Sequence, residues 1–242
     1  MIDAVSALVR GTRMVYTPGL RRFVFVPLAI NLVLYSITLW VLFNQFGGWI
    51  DYWMLKVPAW LDWLSWLIWP LLVVSLLLVV FFSFSLVTNL IAAPFYGILA
   101  EKVEHRLDGT LIDDDRGLVK IGVDSLEREM AKLAYFIPRM IALFIIGFIP
   151  GLNLLSPLLW GLFSAWSMSI QYLDYPMDNH QVSFGDMKQR LKARWWPSLT
   201  FGAAVFVMTL VPLANLLFIP GAVAGAVLMW QSHYRQLPAP RR

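Results

Sequence analysis

Two adjacent arginines, Arg21 and Arg22, stand in TPGLRRFVFVPL, residues 17–28, directly behind Pro18-Gly19 and at the threshold of a long apolar run. A guanidinium presents a planar fork of N–H donors that matches a tetrahedral oxyanion. A helix beginning near Gly19 adds free backbone N–H groups from its first turn. Glycine lets an anion approach the main chain closely. Gly19, Leu20, Arg21 and Arg22 are therefore the candidate anion-binding residues. The plainer alternative is that the two cations only anchor a membrane helix at its inner end.

Other chemistry is scarce. His105, His180 and His233 are far apart in sequence, and none belongs to an HExxH pattern; GxSxG, P-loop and GxGxxG motifs are missing. Asp113-Asp114-Asp115 lacks the glycine spacing and later glutamate of a calcium loop and reads as a solvated acidic turn. Ser83, Ser85, Ser167 and Ser169 fall in apolar runs, where a hydroxyl bonds its own helix more often than it acts as a nucleophile. The chain reads as a non-enzyme with no metal and no cofactor. With no cysteine, disulfides and thiolate metal sites are excluded.

The elements that position the arginines are apolar helices. Of 242 residues 59% are hydrophobic and 14% charged, with mean hydropathy +0.67; soluble domains carry about 25% charged residues. This is the composition of an all-α integral membrane protein. The net charge of +4 is too small and scattered for nucleic acid. The first apolar run begins only at Phe23, is too long for a signal-peptide core and has no cleavage pattern behind it.

Phe23 to Phe46 is free of Asp, Glu, Lys and Arg. Its length, about 36 Å as a helix, spans a core of about 30 Å. A second run, from Trp63 to Ala100, is too long for one straight span; it breaks most naturally near Asn89–Pro94, with 63–88 as the spanning part, and the helix is expected to continue past the membrane into the polar segment that follows. Trp49, Trp53, Trp60, Trp63, Trp66 and Trp69 lie around the connection, as interfacial tryptophans do.

Two further charge-free runs, Met140 to Leu173 and Trp195 to Tyr234, are each interrupted midway. IPGLNLLSP, residues 149–157, and VPLANLLFIP, residues 211–220, align Pro150 with Pro212 and Asn153 with Asn215. Each half is shorter than the roughly 20 residues a full span wants. The expectation is therefore two re-entrant, hemi-penetrating hairpins, 136–173 and 195–234, with Asn153 and Asn215 capping the backbone groups freed at each break. Pairs of short full spans are the alternative.

If each pair returns to its side of entry, only Lys56 of the nineteen Lys and Arg residues lies opposite the others. That skew places both termini in the cytoplasm, with 101–132 as the main cytoplasmic segment. Residues 1–17 have helical amphipathic spacing and read as an interfacial helix on the lipid surface. Asp124-Ser-Leu-Glu127 and Ser183-Phe-Gly-Asp186 read as capping boxes opening two helices; the second begins another interfacial helix.

No apolar run holds a carboxylate, so a cation path has no evident ligands. Arg21, Arg22, Arg139 and Arg194 near the membrane favour an anion. Dehydrating a small ion costs tens of kcal/mol. A charge-assisted hydrogen bond returns about 1.5–3 kcal/mol and a helix N-terminus up to about 2 kcal/mol. A partly wet site at the cytoplasmic rim is thus favoured over a dry one at mid-membrane.

Gly19-Leu20-Arg21, the stretch Asn89-Leu-Ile-Ala-Ala-Pro-Phe-Tyr-Gly97 leading into Leu99-Ala-Glu-Lys-Val-Glu104, and the paired Pro-x-x-Asn breaks together resemble the CysZ-type sulfate permeases of the EI24/CysZ family. The likeness covers nearly the whole chain. It implies two long spanning helices and two hemi-penetrating helix pairs, assembled as a homo-oligomer in the bacterial inner membrane. It implies sulfate uptake supplying cysteine synthesis, with sulfate held at Gly19, Leu20, Arg21 and Arg22. It also suggests a polar pathway along Glu101 and Arg106, to which Arg139, Asn153 and Asn215 are added from their positions. The missing intramembrane carboxylates lean toward an ion channel rather than proton coupling. The rival reading is a membrane-shaping scaffold that uses half-inserted hairpins as wedges; an intramembrane enzyme has least support.

Overall fold

The computed structural model describes residues 2–56, 58, 63, 65–109 and 118–237. Among them every regular element is helical. In order these are α1 (Ala4–Val15), α2 (Arg22–Met54), α3 (Ser65–Asp108), α4 (Leu118–Phe148), α5 (Ser156–Asn179), α6 (Phe184–Ala193), α7 (Trp195–Thr209) and α8 (Pro212–Met229). A 3-10 turn, Leu152–Leu155, precedes α5, and a π-helical turn, Trp230–Tyr234, follows α8. Trp60 and the acidic turn at 113–115 lie outside the described residues.

The chain divides into two compact units. Residues 25–95 form one and hold most of α2 and the first part of α3. The apolar stretch Arg22–Val41 is long enough to cross a membrane, with Trp40, Trp49 and Trp53 exposed. The interruption expected near 89–94 does not occur, while the expected continuation into the polar segment does: α3 is one helix of 44 residues ending at Asp108, about 66 Å. An interruption in an apolar surround would leave N–H and C=O groups that lipid cannot satisfy, so the helix continues through Pro94.

Residues 1–24 and 96–242 form the other unit. Here α1 packs along α8, and α5 packs on α7 more extensively than on α4, its neighbour in sequence. The apolar face of α1, Ala4, Ala7, Leu8, Gly11 and Val15, is buried. Helix α8 covers this face, while Val5, Val9 and Tyr16 stay exposed. Asp3 caps α1 by accepting from the Ser6 amide at 2.7 Å and the Ser6 hydroxyl at 2.8 Å. Those bonds hold its carboxyl below the usual range.

Small residues permit these crossings. A Cβ on Gly11 would collide with the Gly225 backbone, and one on Gly221 with Thr12. Gly221 and Gly225 form a GxxxG pair in Gly221-Ala-Val-Ala-Gly225. Lipid tails are as apolar as leucine, so close backbone approach must supply much of the helix attraction. The α5–α7 crossing repeats the device, since a Cβ on Gly202 would meet the Ala165 carbonyl oxygen. Around it the Ser169 hydroxyl donates to the Ser198 carbonyl, and the Ser198 and Tyr234 hydroxyls bond at 2.7 Å.

The midway breaks fall where the sequence pattern sits, with one difference in role. Pro150 and Asn153 lie in the turn between α4 and α5, whereas Pro212 opens α8 and Asn215 stands within that helix. The first turn closes through Gly151, whose φ is 87°. Asn153 is exposed, and no side-chain bond caps α5 or α8. Left-handed glycine and proline at helix starts do the work expected of asparagine. The second pair has arms of 15 and 18 residues. The first has longer arms, 31 and 24 residues, than apolar length alone indicated. Helix α4 starts at Leu118, so Asp124 stands inside it and not at its opening. No proline precedes Asp124 in the helix to halt it. By contrast Ser183 does cap α6, accepting from the Asp186 amide at 3.1 Å.

Gly202→Val or Gly11→Val is expected to destabilise the purified protein by about 1–3 kcal/mol, because backbone cannot yield to the new side chain. Gly161 has open space and ordinary helical geometry, and Gly161→Ala should stabilise by about 0.5–1 kcal/mol. Thermal unfolding in detergent checks both signs.

Candidate functional site

The Thr17–Arg22 turn joins the end of α1 to the start of α2. The Thr17 hydroxyl donates to the Met14 carbonyl at 2.6 Å, fastening the turn to α1. Gly19 has φ 94° with nothing near a would-be Cβ. Glycine is required there by conformation, not by crowding. Leu20, Phe23 and Val24 are buried and seat the turn. Arg21 and Arg22 remain exposed, with the Arg22 guanidinium 5.0 Å from the Phe23 ring centre.

The turn corrects one expectation. Helix α2 begins at Arg22, and the amides of Leu20, Arg21, Phe23 and Val24 are already used. Leu20 and Arg21 donate to the Thr17 carbonyl at 3.2 and 3.3 Å; Phe23 and Val24 donate to Leu20 and Arg21 at 2.9 and 3.1 Å. Tight 3-10 bonding consumes the free donors of a first helical turn. An anion here must be held mainly by the two side chains. Neither arginine has a carboxylate partner among the described residues.

Arg106, near the end of α3, comes to the same place. Its Nη1 donates to Thr17 Oγ1 at 2.8 Å and to the Pro18 carbonyl at 3.1 Å. It fixes the turn that presents Arg21 and Arg22. Glu101 instead pairs with Lys102 at 3.2 Å. Arg139 lies on α4, donating to its own Tyr135 carbonyl at 2.6 Å with its guanidinium 3.6 Å from that ring centre. Asn153 is at a turn and Asn215 in α8. Among the described side chains of the expected pathway residues, Arg106 is the one shown bonding to the glycine-arginine turn.

Two polar clusters were not anticipated. Glu104 is fully buried, with both carboxylate oxygens 2.9 Å from His180 Nε2. Arg235 Nη1 lies 3.8 Å from the same carboxylate and pairs with Asp108, which Gln231 also reaches at 3.2 Å. Asn179 donates to the Gly97 carbonyl at 3.0 Å. Together these tie the end of α3 to the end of α5 and the segment after α8. In the second cluster Asp174 is met by Arg128 and Lys132, each at 2.6 Å. Arg128 also reaches Asp178 at 3.1 Å and the Val182 carbonyl at 2.7 Å. Lys132 and Asp174 are only 4% and 6% exposed, so their charges compensate each other away from water. Glu104 closes the LAEKVE motif, but its distant partner His180 had no local sequence signal.

Comparison with known proteins places these residues in context. Residues 7–220 match the family described as sulfate transporter CysZ/etoposide-induced protein 2.4. A protein of Pectobacterium atrosepticum named sulfate transporter CysZ is 48% identical over 233 residues, covering 95% of this chain and 84% of the relative. One of Pseudomonas fluorescens with the same name is 47% identical over 235 residues, covering 95% and 93%. A third, from Pseudomonas aeruginosa, is 41% identical over 226 residues, covering 91% of each.

Asp174→Ala leaves two buried cations without their shared anion and is expected to cost about 3–5 kcal/mol, read by chemical denaturation in detergent. Arg106→Ala should leave global stability nearly unchanged while speeding amide exchange across residues 17–24, as seen by hydrogen–deuterium exchange.

Proposed function

Because the chain belongs to the sulfate transporter CysZ/etoposide-induced protein 2.4 family, we propose that it passes sulfate across the bacterial inner membrane to supply cysteine synthesis. The observation that carries this reading is the exposed Arg21-Arg22 pair, presented by the left-handed Gly19 turn and braced by Arg106. The pair stands where charge gives way to the apolar length of α2. It keeps two forked donors wet and unneutralised, as a divalent oxyanion requires for capture and release. Strong dehydration would slow release as well as entry.

The charge skew supports a multi-pass protein with both termini in the cytoplasm. The 15- and 18-residue arms of the second pair support half-insertion. In the first pair, Arg139 is the last charge on α4 before its end at Phe148, leaving about 14 Å of apolar helix. That is close to half the hydrocarbon thickness. Leu154, 82% exposed, Leu210 and Val211 crown the turns with apolar surface suited to lipid. Short hairpins cannot enclose a water path alone, so a channel-like route needs several copies of the chain. The lack of acidic side chains in the apolar runs favours passive anion passage over proton coupling.

A membrane-shaping scaffold is favoured by one specific observation, the apolar hairpin turns. The experiment separates the two. Labelled sulfate uptake into proteoliposomes is measured with and without a pH gradient, alongside vesicle imaging. Uptake is expected, independent of the gradient, and Arg21→Ala with Arg22→Ala should lower it at least tenfold. That follows from losing two charge-assisted interactions of about 1.5–3 kcal/mol each. Full uptake by the double variant rejects the site; vesicle remodelling without uptake favours the scaffold.

A further inference from the structure

The cations of the unit formed by residues 1–24 and 96–242 fall into two kinds. Arg128, Lys132, Lys102 and Arg235 are matched to carboxylates. Arg139 and Lys188 have no carboxylate partner among the described residues, yet they gather at one aromatic ring. The Tyr135 ring centre lies 3.6 Å from the Arg139 guanidinium and 5.1 Å from the Lys188 ammonium. The ring is fixed in place: the Trp166 indole donates to the Tyr135 hydroxyl at 3.1 Å, and Phe184 meets the ring edge-on at 6.1 Å. Asp186 is the only carboxylate in α6, two positions from Lys188, and residues so spaced do not face each other on a helix.

Beyond these cations, charge runs out on both elements. On α4, Arg139 is the last charge before the apolar stretch to Phe148. Helix α6 ends at Ala193 and is followed by Arg194, then by the exposed Trp195 and Trp196 that open the uncharged α7. Charge ends at Arg139 on α4 and at Arg194 just after α6, and beyond each the helix is uncharged. Positive charge giving way to apolar helix, with exposed tryptophans at the second of these ends, matches the passage from headgroups to acyl chains. Unneutralised Lys and Arg at such a level are attracted to anionic lipid.

We propose that Arg139 and Lys188, gathered at the Tyr135 ring, form a binding site for the phosphate of an anionic phospholipid. The Arg139 fork and the Lys188 ammonium meet the phosphate oxygens, and the exposed Trp195-Trp196 pair lies beside the upper acyl chains. The site fixes α4 and α6 at the inner membrane surface. It is separate from the Arg21-Arg22 turn and stands whether or not that turn binds sulfate.

The test uses the full chain, reconstituted in phosphatidylcholine nanodiscs with or without phosphatidylglycerol and then examined by native mass spectrometry for retained lipid. The wild-type protein should retain phosphatidylglycerol over phosphatidylcholine. Arg139→Gln with Lys188→Gln should reduce that preference by roughly tenfold or more, from the worth of each cation at an anionic surface. Arg139→Lys with Lys188→Arg, which keeps both charges, should preserve it and guards against a folding artefact. Arg13→Gln, which removes an exposed charge elsewhere, should leave it unchanged. Equal retention by the charge-deleted and wild-type proteins overturns the proposal. So does displacement of the lipid by free sulfate, which would make the ring a site for a soluble oxyanion.

Discussion

Close backbone approach through glycine is the constraint on which the arrangement of residues 1–24 and 96–242 depends. Lipid gives apolar helices little reason to prefer one another, so contact must come from backbones brought near enough for dispersion and polar contacts. Gly11, Gly221 and Gly225 set the crossing of α1 with α8, and Gly202 sets that of α5 with α7. The second crossing also seats Ser169, Ser198 and Tyr234 in a chain of hydroxyl and carbonyl bonds. Helix α1 is held by α8 and carries the Thr17 turn at its end, so the position of the arginines traces back to these glycines.

Charge is distributed by the same logic. Where it is buried it has partners: Asp174 lies between Arg128 and Lys132, and Glu104 is held by His180 with Arg235 nearby. Breaking such a set strands a charge away from water, which makes these clusters braces rather than reactive centres. Among the cations left without a carboxylate, Arg21, Arg22 and Arg139 are exposed and Lys188 is half-buried, and Arg22, Arg139 and Lys188 have aromatic neighbours. Unmatched positive charge can serve a mobile anion or a lipid headgroup; matched charge cannot.

The candidate site gained one part and lost another on folding. Arg106 was legible as a cation on a polar helix face, but its hold on Thr17 and Pro18 joins residues about ninety positions apart. Four of the backbone donors expected at the start of α2, those of Leu20, Arg21, Phe23 and Val24, are spent inside the turn, three of them in 3-10 bonds, which reach one residue less than α-helical ones. Helix lengths were misjudged where charged and apolar segments share one helix, as in α4: hydropathy marks where charge ends, not where backbone bonding ends.

By itself the sequence determined the all-helical membrane character, the arginine pair at the head of the first apolar run, the breaks near Pro150 and Pro212, and the family. All of these are written in local composition and spacing, since burial in lipid and helix interruption act over a few consecutive residues. Tertiary structure alone decided that α8 covers α1, that α5 pairs with α7, and that Glu104 meets His180 and Asp174 meets Arg128. Those choices depend on shape and charge between segments far apart in the chain. The GxxxG spacing at Gly221 and Gly225 signals only that some backbone will come close, and folding selects which one.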